Sequence, residues 1–285
     1  QHIVAVIIEY YGCQAMLKHA MHYRWSYRAE QEAFLRCAFT LGSGADMADK
    51  IMGRMNSYLP RLGVNQASIP LIERSYHELL ALLEAHFTQV PYLLGWRPSI
   101  ADYGLIAPMF AHLGRDPVPL AVMQQRAPRV HRWVERMTAP GLDVVEYSQH
   151  APAFFADDTL PATLEAVLRH IADEIFPELT DKLAFVQAWL DEHQPVDGSP
   201  VSERPQIRQV GMVQTRFRGA DIEVGVEPYL LYLLQRASAV MQAQSADKQQ
   251  ALTVELKRLG LADALPVQHT YQVGRRDNLE CWLKV

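Results

Sequence analysis

From Ile100 to Leu113 the chain carries a single charged side chain, Asp102. A helix apolar on nearly every side belongs inside a bundle rather than on its surface. This stretch therefore calls for an α-helical core with other helices packed around it. Its start is marked. Ser99 stands just before the run and Asp102 follows three residues later. In that spacing the Ser hydroxyl accepts the N3 amide and the carboxylate reaches back to the Ser amide, a capping box. Asp is a shorter partner than Glu, but its charge suits a helix N-terminus. Pro98 and Tyr103 occupy the positions of a hydrophobic staple. Ser99 and Asp102 are thus expected to be structural caps, not catalytic groups. Pro108 has no amide proton and its ring crowds the carbonyl of Gly104, which predicts a kink or break there.

The chain has 285 residues and a formal net charge of -5. That length suits one large or two modest domains with a real core. Mild acidity with interspersed signs argues against nucleic-acid or membrane-surface partners. No apolar run approaches the ~20 residues of a membrane span. Cys13, Cys37 and Cys281 are few, odd in number and scattered, which fits a reducing compartment better than a disulfide framework.

Gly95-Trp96-Arg97-Pro98-Ser99-Ile100-Ala101-Asp102-Tyr103 resembles the buried sixth helix of the glutathione S-transferase C-terminal domain. That signature is a Gly, a short spacer, then Ser/Thr-x-Ala-Asp and an aromatic or aliphatic residue. Ala127-Pro128-Arg129-Val130-His131-Arg132-Trp133-Val134-Glu135-Arg136-Met137 is similar to the Pro-x-hydrophobic-x-x-Trp helix that follows it. The resemblance fades after about residue 150. It implies a mainly α fold. Residues 1–150 would form a glutathione S-transferase C-terminal-like helical bundle. Residues 151–285 would form a helical extension carrying a small β-hairpin near 207–226.

The resemblance also implies a function. The intact protein would use glutathione as co-substrate and conjugate it to a small hydrophobic electrophile, as a cytoplasmic homodimer. In that family the Tyr, Ser or Cys that activates the thiol lies in a preceding thioredoxin-like domain, as do most glutathione contacts. No βαβ pattern for such a domain is visible, and Gln1 is not an initiator Met. The chain therefore reads as a fragment or processed product that is folded but inactive in conjugation, with no catalytic residue assigned. Its helical domain would supply the wall of the electrophile pocket and part of the dimer surface. One alternative is a non-catalytic member that uses the same fold for ligand binding or protein assembly. The extension favours it, because it would cover the usual cleft. Another is an unrelated bundle with a coincidental capping box.

Periodicity places the other elements. Residues 2–20 read as helix, weakened in the middle by Gly12, and 29–39 as a second helix. Leu41-Gly42-Ser43-Gly44-Ala45-Asp46 lacks the Gly-Lys-Ser/Thr of a phosphate loop and reads as a turn. Ile69 to Phe87 is amphipathic, with Ile72, Tyr76, Leu79, Leu80 and Leu83 on one face. A Pro-rich loop leads from Gly114 to the Trp133 helix. Thr159 is placed to cap the next helix, which Pro177 interrupts before a second half. Ile207 to Val226 changes to a strand period with a turn near Arg218-Gly219-Ala220-Asp221. Two more helices follow, then a partly extended tail turning at Gly274-Arg275-Arg276-Asp277-Asn278.

Tyr10, Tyr11, His22, Tyr23 and Trp25 are the candidate substrate-binding side chains. The resemblance puts the first helix against the electrophile, and polarizable rings suit a mixed apolar substrate. The same rings would equally serve to pack the bundle or to meet a missing domain. Lys18 and His19 are near Cys13 in sequence, but Cys13 lies mid-helix rather than at a helix N-terminus and reads as a packed thiol. His19 and His22 share a helical face, but no Cys/His or carboxylate set completes a metal site. Arg275, Arg276 and His269 form a basic cluster for an anion, and Arg216 and Arg218 are placed to pair carboxylates on the hairpin. Solvent-exposed charge is the commoner fate of both groups.

Overall fold

A computed structural model describes residues 1–139, 145–148, 151–202, 208–266 and 270–285. The chain opens with α1 (His2–Tyr10), a π-helical turn (Tyr11–Ala15) and α2 (Leu17–Trp25). Next come α3 (Arg28–Ser43) and α4 (Ala45–Asn56), hinged on Gly44 at φ 82°. The next four helices are α5 (Ile69–His86), α6 (Ile100–Pro108), α7 (Pro117–Arg126) and α8 (Pro128–Thr138). The second half holds α9 (Ala162–Ile175), α10 (Glu178–His193), α11 (Tyr229–Gln242) and α12 (Ala246–Arg258). Two antiparallel hairpins complete it, β1 (Gly211–Phe217) with β2 (Ala220–Val226), and β3 (Tyr271–Arg276) with β4 (Leu279–Lys284). The fold is mainly α, with the hairpins as small additions.

The capping box forms as expected. Asp102 Oδ2 takes the Ser99 amide and the Ser99 hydroxyl, each at 2.9 Å. Its Oδ1 takes the Leu93 amide at 3.0 Å and the Trp133 indole at 3.1 Å. One fully buried carboxylate thus ties the loop before α6, the cap of α6 and the α8 helix together.

The most deeply enclosed helix is α1 rather than α6. Ile3, Val4, Val6, Ile7 and Ile8 are all buried, because α6 crosses one side of α1 and α11 lies along the other. In α6, Ala101, Asp102 and Leu105 face inward, but Ile100, Tyr103 and, in the next turn, Phe110 are exposed. The apolar run therefore covers an outward face as well as the core.

Pro108 ends α6 without stopping the spiral. A π turn, Met109–Leu113, absorbs the missing amide, so the break is a change of helix type. The segment after Gly114 corrects the expected Pro-rich loop. Pro117 and Pro119 fall in the first turn of α7, where a missing amide costs nothing, and the helix forms. Thr159 is not the cap of α9, since Pro161 precedes the helix and the Thr159 hydroxyl donates to Ala156 O instead. Pro177 separates α9 from α10 as the ring geometry requires. The β1–β2 turn, Arg218-Gly219, has φ of 47° and 90°, and Asp277-Asn278 turns β3 into β4 at 50° and 63°. Both are two-residue loops of the left-handed kind that match strand twist. Residue 207 and His269 lie outside the described residues.

Candidate functional site

The π turn after α1 inserts one residue into the spiral, and such turns recur at functional sites. Here Tyr11 and Ala15 point inward, while Cys13 and Gln14 are half-exposed. Helix α6 passes so close that a Cβ on Gly12 would lie 2.4 Å from the Gly104 carbonyl oxygen. That crossing fixes the turn, and it presents Cys13, Gln14 and Leu17 to an open groove.

The groove has three stations. At one end is a cavity of about 480 Å3 lined by Cys13, Gln14, Val201, Arg208, Tyr229 and Arg275 among others. Gln14 also borders a narrow middle of about 30 Å3, with Tyr10, Lys18, Glu178 and Lys182 at its floor. Leu17, Arg61, Leu62 and Gln209 continue from there into a more apolar end of about 330 Å3, walled by Met21, Met55 and Tyr58 and bordered by Glu227 and by Arg208, which also lines the first cavity. One end is polar and cationic, the other carbon-rich.

Beneath the middle lies a buried ion cluster. Lys18 Nζ contacts Glu178 Oε2 at 2.8 Å and Lys182 Nζ contacts Oε1 at 2.6 Å. Burial opposes the charge on Glu178, but the two ammonium groups prevail and bring its pKa down to about 2. Tyr10 is held well above the ordinary phenol range by burial and then by the Glu178 charge, so it keeps its proton.

A second cluster lies alongside. Arg218 donates to Glu174 and, at 2.6 Å, to Glu78. His19 Nε2 sits 2.9 Å from Ser75 Oγ and 3.3 Å from Glu174 Oε2. Ser and Glu share one ring nitrogen, and Ser75 is fully buried. This is therefore a structural cluster and not a Ser-His-acid relay, which needs the two on opposite nitrogens.

Of the sequence-predicted rings, Tyr10 edges the groove. Tyr11 is fully buried beside Glu174, where desolvation and that charge hold its phenol protonated. His22 bonds Ser26 at 2.9 Å and Glu73 at 3.0 Å, and Tyr23 packs on Tyr76 with ring centroids 5.1 Å apart. Trp25 belongs to a separate apolar cluster with Met21, Leu35 and Met52. His19 and His22 turn to different partners, and among the described residues no three His, Cys, Asp or Glu side chains converge as metal ligands. Cys13 does line the cavity, although burial and then Glu9 push its thiol pKa up. The residues that sequence reasoning missed are Gln14, Leu17, Arg208 and Tyr229. Arg208 and Tyr229 reach the groove only through long-range folding, for which one sequence carries no local signal.

Residues 66–136 match the family model described as glutathione S-transferase, C-terminal domain. The match runs from the start of α5 through the capping box to the Trp133 helix. The chain carries a glutathione S-transferase C-terminal-like helical domain. No curated protein matches it, and no solved structure does. Among the described residues no helix is long and apolar enough to cross a membrane.

Proposed function

We propose that this chain supplies the electrophile-pocket wall of a glutathione S-transferase-like protein, with the groove along the π turn as that wall. The observation that carries the reading is the apolar end of the groove. Leu17 and Tyr58 are partly exposed there beside Met21 and Met55, as an apolar substrate in a pre-formed cleft requires. Glutathione would be the co-substrate, as the domain family implies. Thiol activation is assigned to a thioredoxin-like domain, not to this chain's own groups. Tyr10 and Tyr11 hold their protons, and the Cys13 thiol is pushed up. The exposed face of Ile100, Tyr103 and Phe110 offers an apolar seat for that domain. A homodimer and a cytoplasmic location complete the proposal.

The test is conjugation of 1-chloro-2,4-dinitrobenzene by the full-length protein, with Leu17→Glu and Tyr58→Glu as variants. The wall reading expects KM for the aromatic substrate to rise about tenfold, as the loss of roughly 1.4 kcal/mol of binding gives, with KM for glutathione unchanged. Unchanged kinetics in both variants would remove the groove from the reaction. Absence of any turnover, with the aromatic substrate still binding to the groove, would favour a ligand-binding member of the fold.

A further inference from the structure

The polar end of the groove has an unbalanced charge. Among the described residues, Arg208 and Arg275 both line the cavity, with one carboxylate, Glu280. Glu280 is the cross-strand neighbour of Arg275, yet its side chain pairs with Arg208. Among the described residues no carboxylate lies within salt-bridge distance of Arg275, whose guanidinium instead sits 6.0 Å from the Tyr232 ring centroid. Arg208 covers Tyr229 at 4.5 Å, and the two rings stack at 5.4 Å. The result is a stacked tyrosine pair under two guanidinium groups, of which one is paired with a described carboxylate and one is not. This positive excess stands out in a chain of net charge -5.

We infer that this cavity binds a small monocarboxylic acid with an apolar body. The charge count sets the anion. Among the described residues that line the cavity, Arg208 and Glu280 cancel, so one positive charge remains, and Glu280 repels a second negative one. Gln14, Tyr229 and Asn278 add neutral polar groups for the carboxylate oxygens. The apolar body has its own wall in Pro200, Val201 and Leu279. A space of about 480 Å3 takes a two-ring acid with room to spare. Arg275 is exposed at the rim of the cavity, where its charge meets an entering anion. The site stands without the transferase reading, and its test uses neither glutathione nor turnover of a conjugation substrate.

The probe is 2-naphthoate, titrated calorimetrically into the full chain, with 2-naphthylmethanol as the neutral analogue and inorganic phosphate as a plain anion. The expected order is naphthoate about tenfold tighter than the alcohol, the worth of one charge-assisted bond, with phosphate weaker than both. Arg275→Gln should erase that preference, while Arg275→Lys should retain part of it. Arg216→Gln, on the other hairpin and 67% exposed, should change nothing. A second readout needs no variant. Cys13 lines the cavity, Cys37 is exposed elsewhere and Cys281 is buried. Saturating naphthoate should slow N-ethylmaleimide labelling of Cys13 at least about fivefold, in proportion to occupancy, and leave Cys37 untouched. Equal affinity for acid and alcohol, tighter binding of phosphate, an unaltered preference in Arg275→Gln or unprotected Cys13 would each overturn the proposal.

Discussion

The indole N–H of Trp133 donates to Oδ1 of Asp102 at 3.1 Å, with both side chains fully buried. The same carboxylate closes the cap of α6, so the helix start and the α8 contact share one group. Removing different parts should therefore carry different costs. Ser99→Ala loses one cap and should cost about 1 kcal/mol. Trp133→Phe leaves one carboxylate lone pair unfilled in the core, at roughly 1–3 kcal/mol. Asp102→Ala orphans the Leu93 and Ser99 amides and the Trp133 indole together, and should cost more than either. Urea unfolding of the three variants tests this order. A midpoint for Asp102→Ala equal to wild type would refute the tie.

Gly12 and Gly104 set the crossing of the π turn with α6. A Cβ on Gly12 would meet the Gly104 carbonyl oxygen, and one on Gly104 would meet Glu9 Cα, each at 2.4 Å. These obstacles are backbone and cannot swing away. Gly12→Ala and Gly104→Ala should each destabilise by about 1–3 kcal/mol through overpacking. Gly53, inside α4, has nothing within 4 Å of its Cβ position, so Gly53→Ala should stabilise by about 0.5–1 kcal/mol. Thermal melts of the three proteins decide the point, because a loss of stability at Gly53 or a gain at Gly12 would contradict the crossing.

Arg216 and Arg218 stand two apart on one hairpin and have different fates. Arg216 approaches Asp221 at 3.8 Å with both side chains mostly exposed. Arg218 reaches Glu174, whose side chain is 1% exposed. Arg218→Ala would leave that buried carboxylate without its guanidinium and should cost about 3–5 kcal/mol. Arg216→Ala should cost less than about 0.5 kcal/mol. Denaturant midpoints compare them directly, and similar losses for the pair would show that Glu174 does not depend on Arg218.

What the sequence made legible follows from how local each signal is. The α6 cap, the amphipathic α5 and the β1–β2 turn each rest on residues within a few positions, so spacing alone located them. Helix α7 went unread because Pro117 and Pro119 look like breakers until their place in the first turn is known. Gly12 looked like a defect in a helix over 2–20, since its reason is Gly104, far away in the chain. The groove was legible only in part. Tyr10 borders it, but Tyr11, His22 and Trp25 are drawn into the interior by partners such as Glu174, Glu73 and Leu35. Its cationic end depends on Arg208, Tyr229 and Arg275, which three separate elements bring to Cys13.

Stability should fall with acid in two stages. His86 is fully buried, with Nδ1 3.0 Å from Thr163 Oγ1 and Nε2 3.1 Å from Leu93 O. Burial pulls its pKa down to about 4, against ~6.5 in an unfolded chain. The fold therefore holds neutral imidazole, and this stabilisation is complete above pH ~6.5 and fades as pH falls towards 4. Glu174 and Glu178 follow at lower pH. Burial opposes their charge, but His19 and His170 around Glu174, and Lys18 and Lys182 around Glu178, bring both to about 2. Unfolded glutamate titrates near ~4.3, so their contribution is whole above that value and is lost as pH falls towards 2. The expected measurement is a urea midpoint that declines from pH 7 to 4 and declines further from 4 to 2. His86→Asn should be less stable at pH 7 and should make the upper stage shallower without abolishing it, because burial also pulls His112 down to about 4. Lys18→Met should flatten part of the lower stage and leave the upper one intact. A midpoint independent of pH between 7 and 4, or an upper stage of undiminished slope in His86→Asn, would show that His86 does not contribute to it.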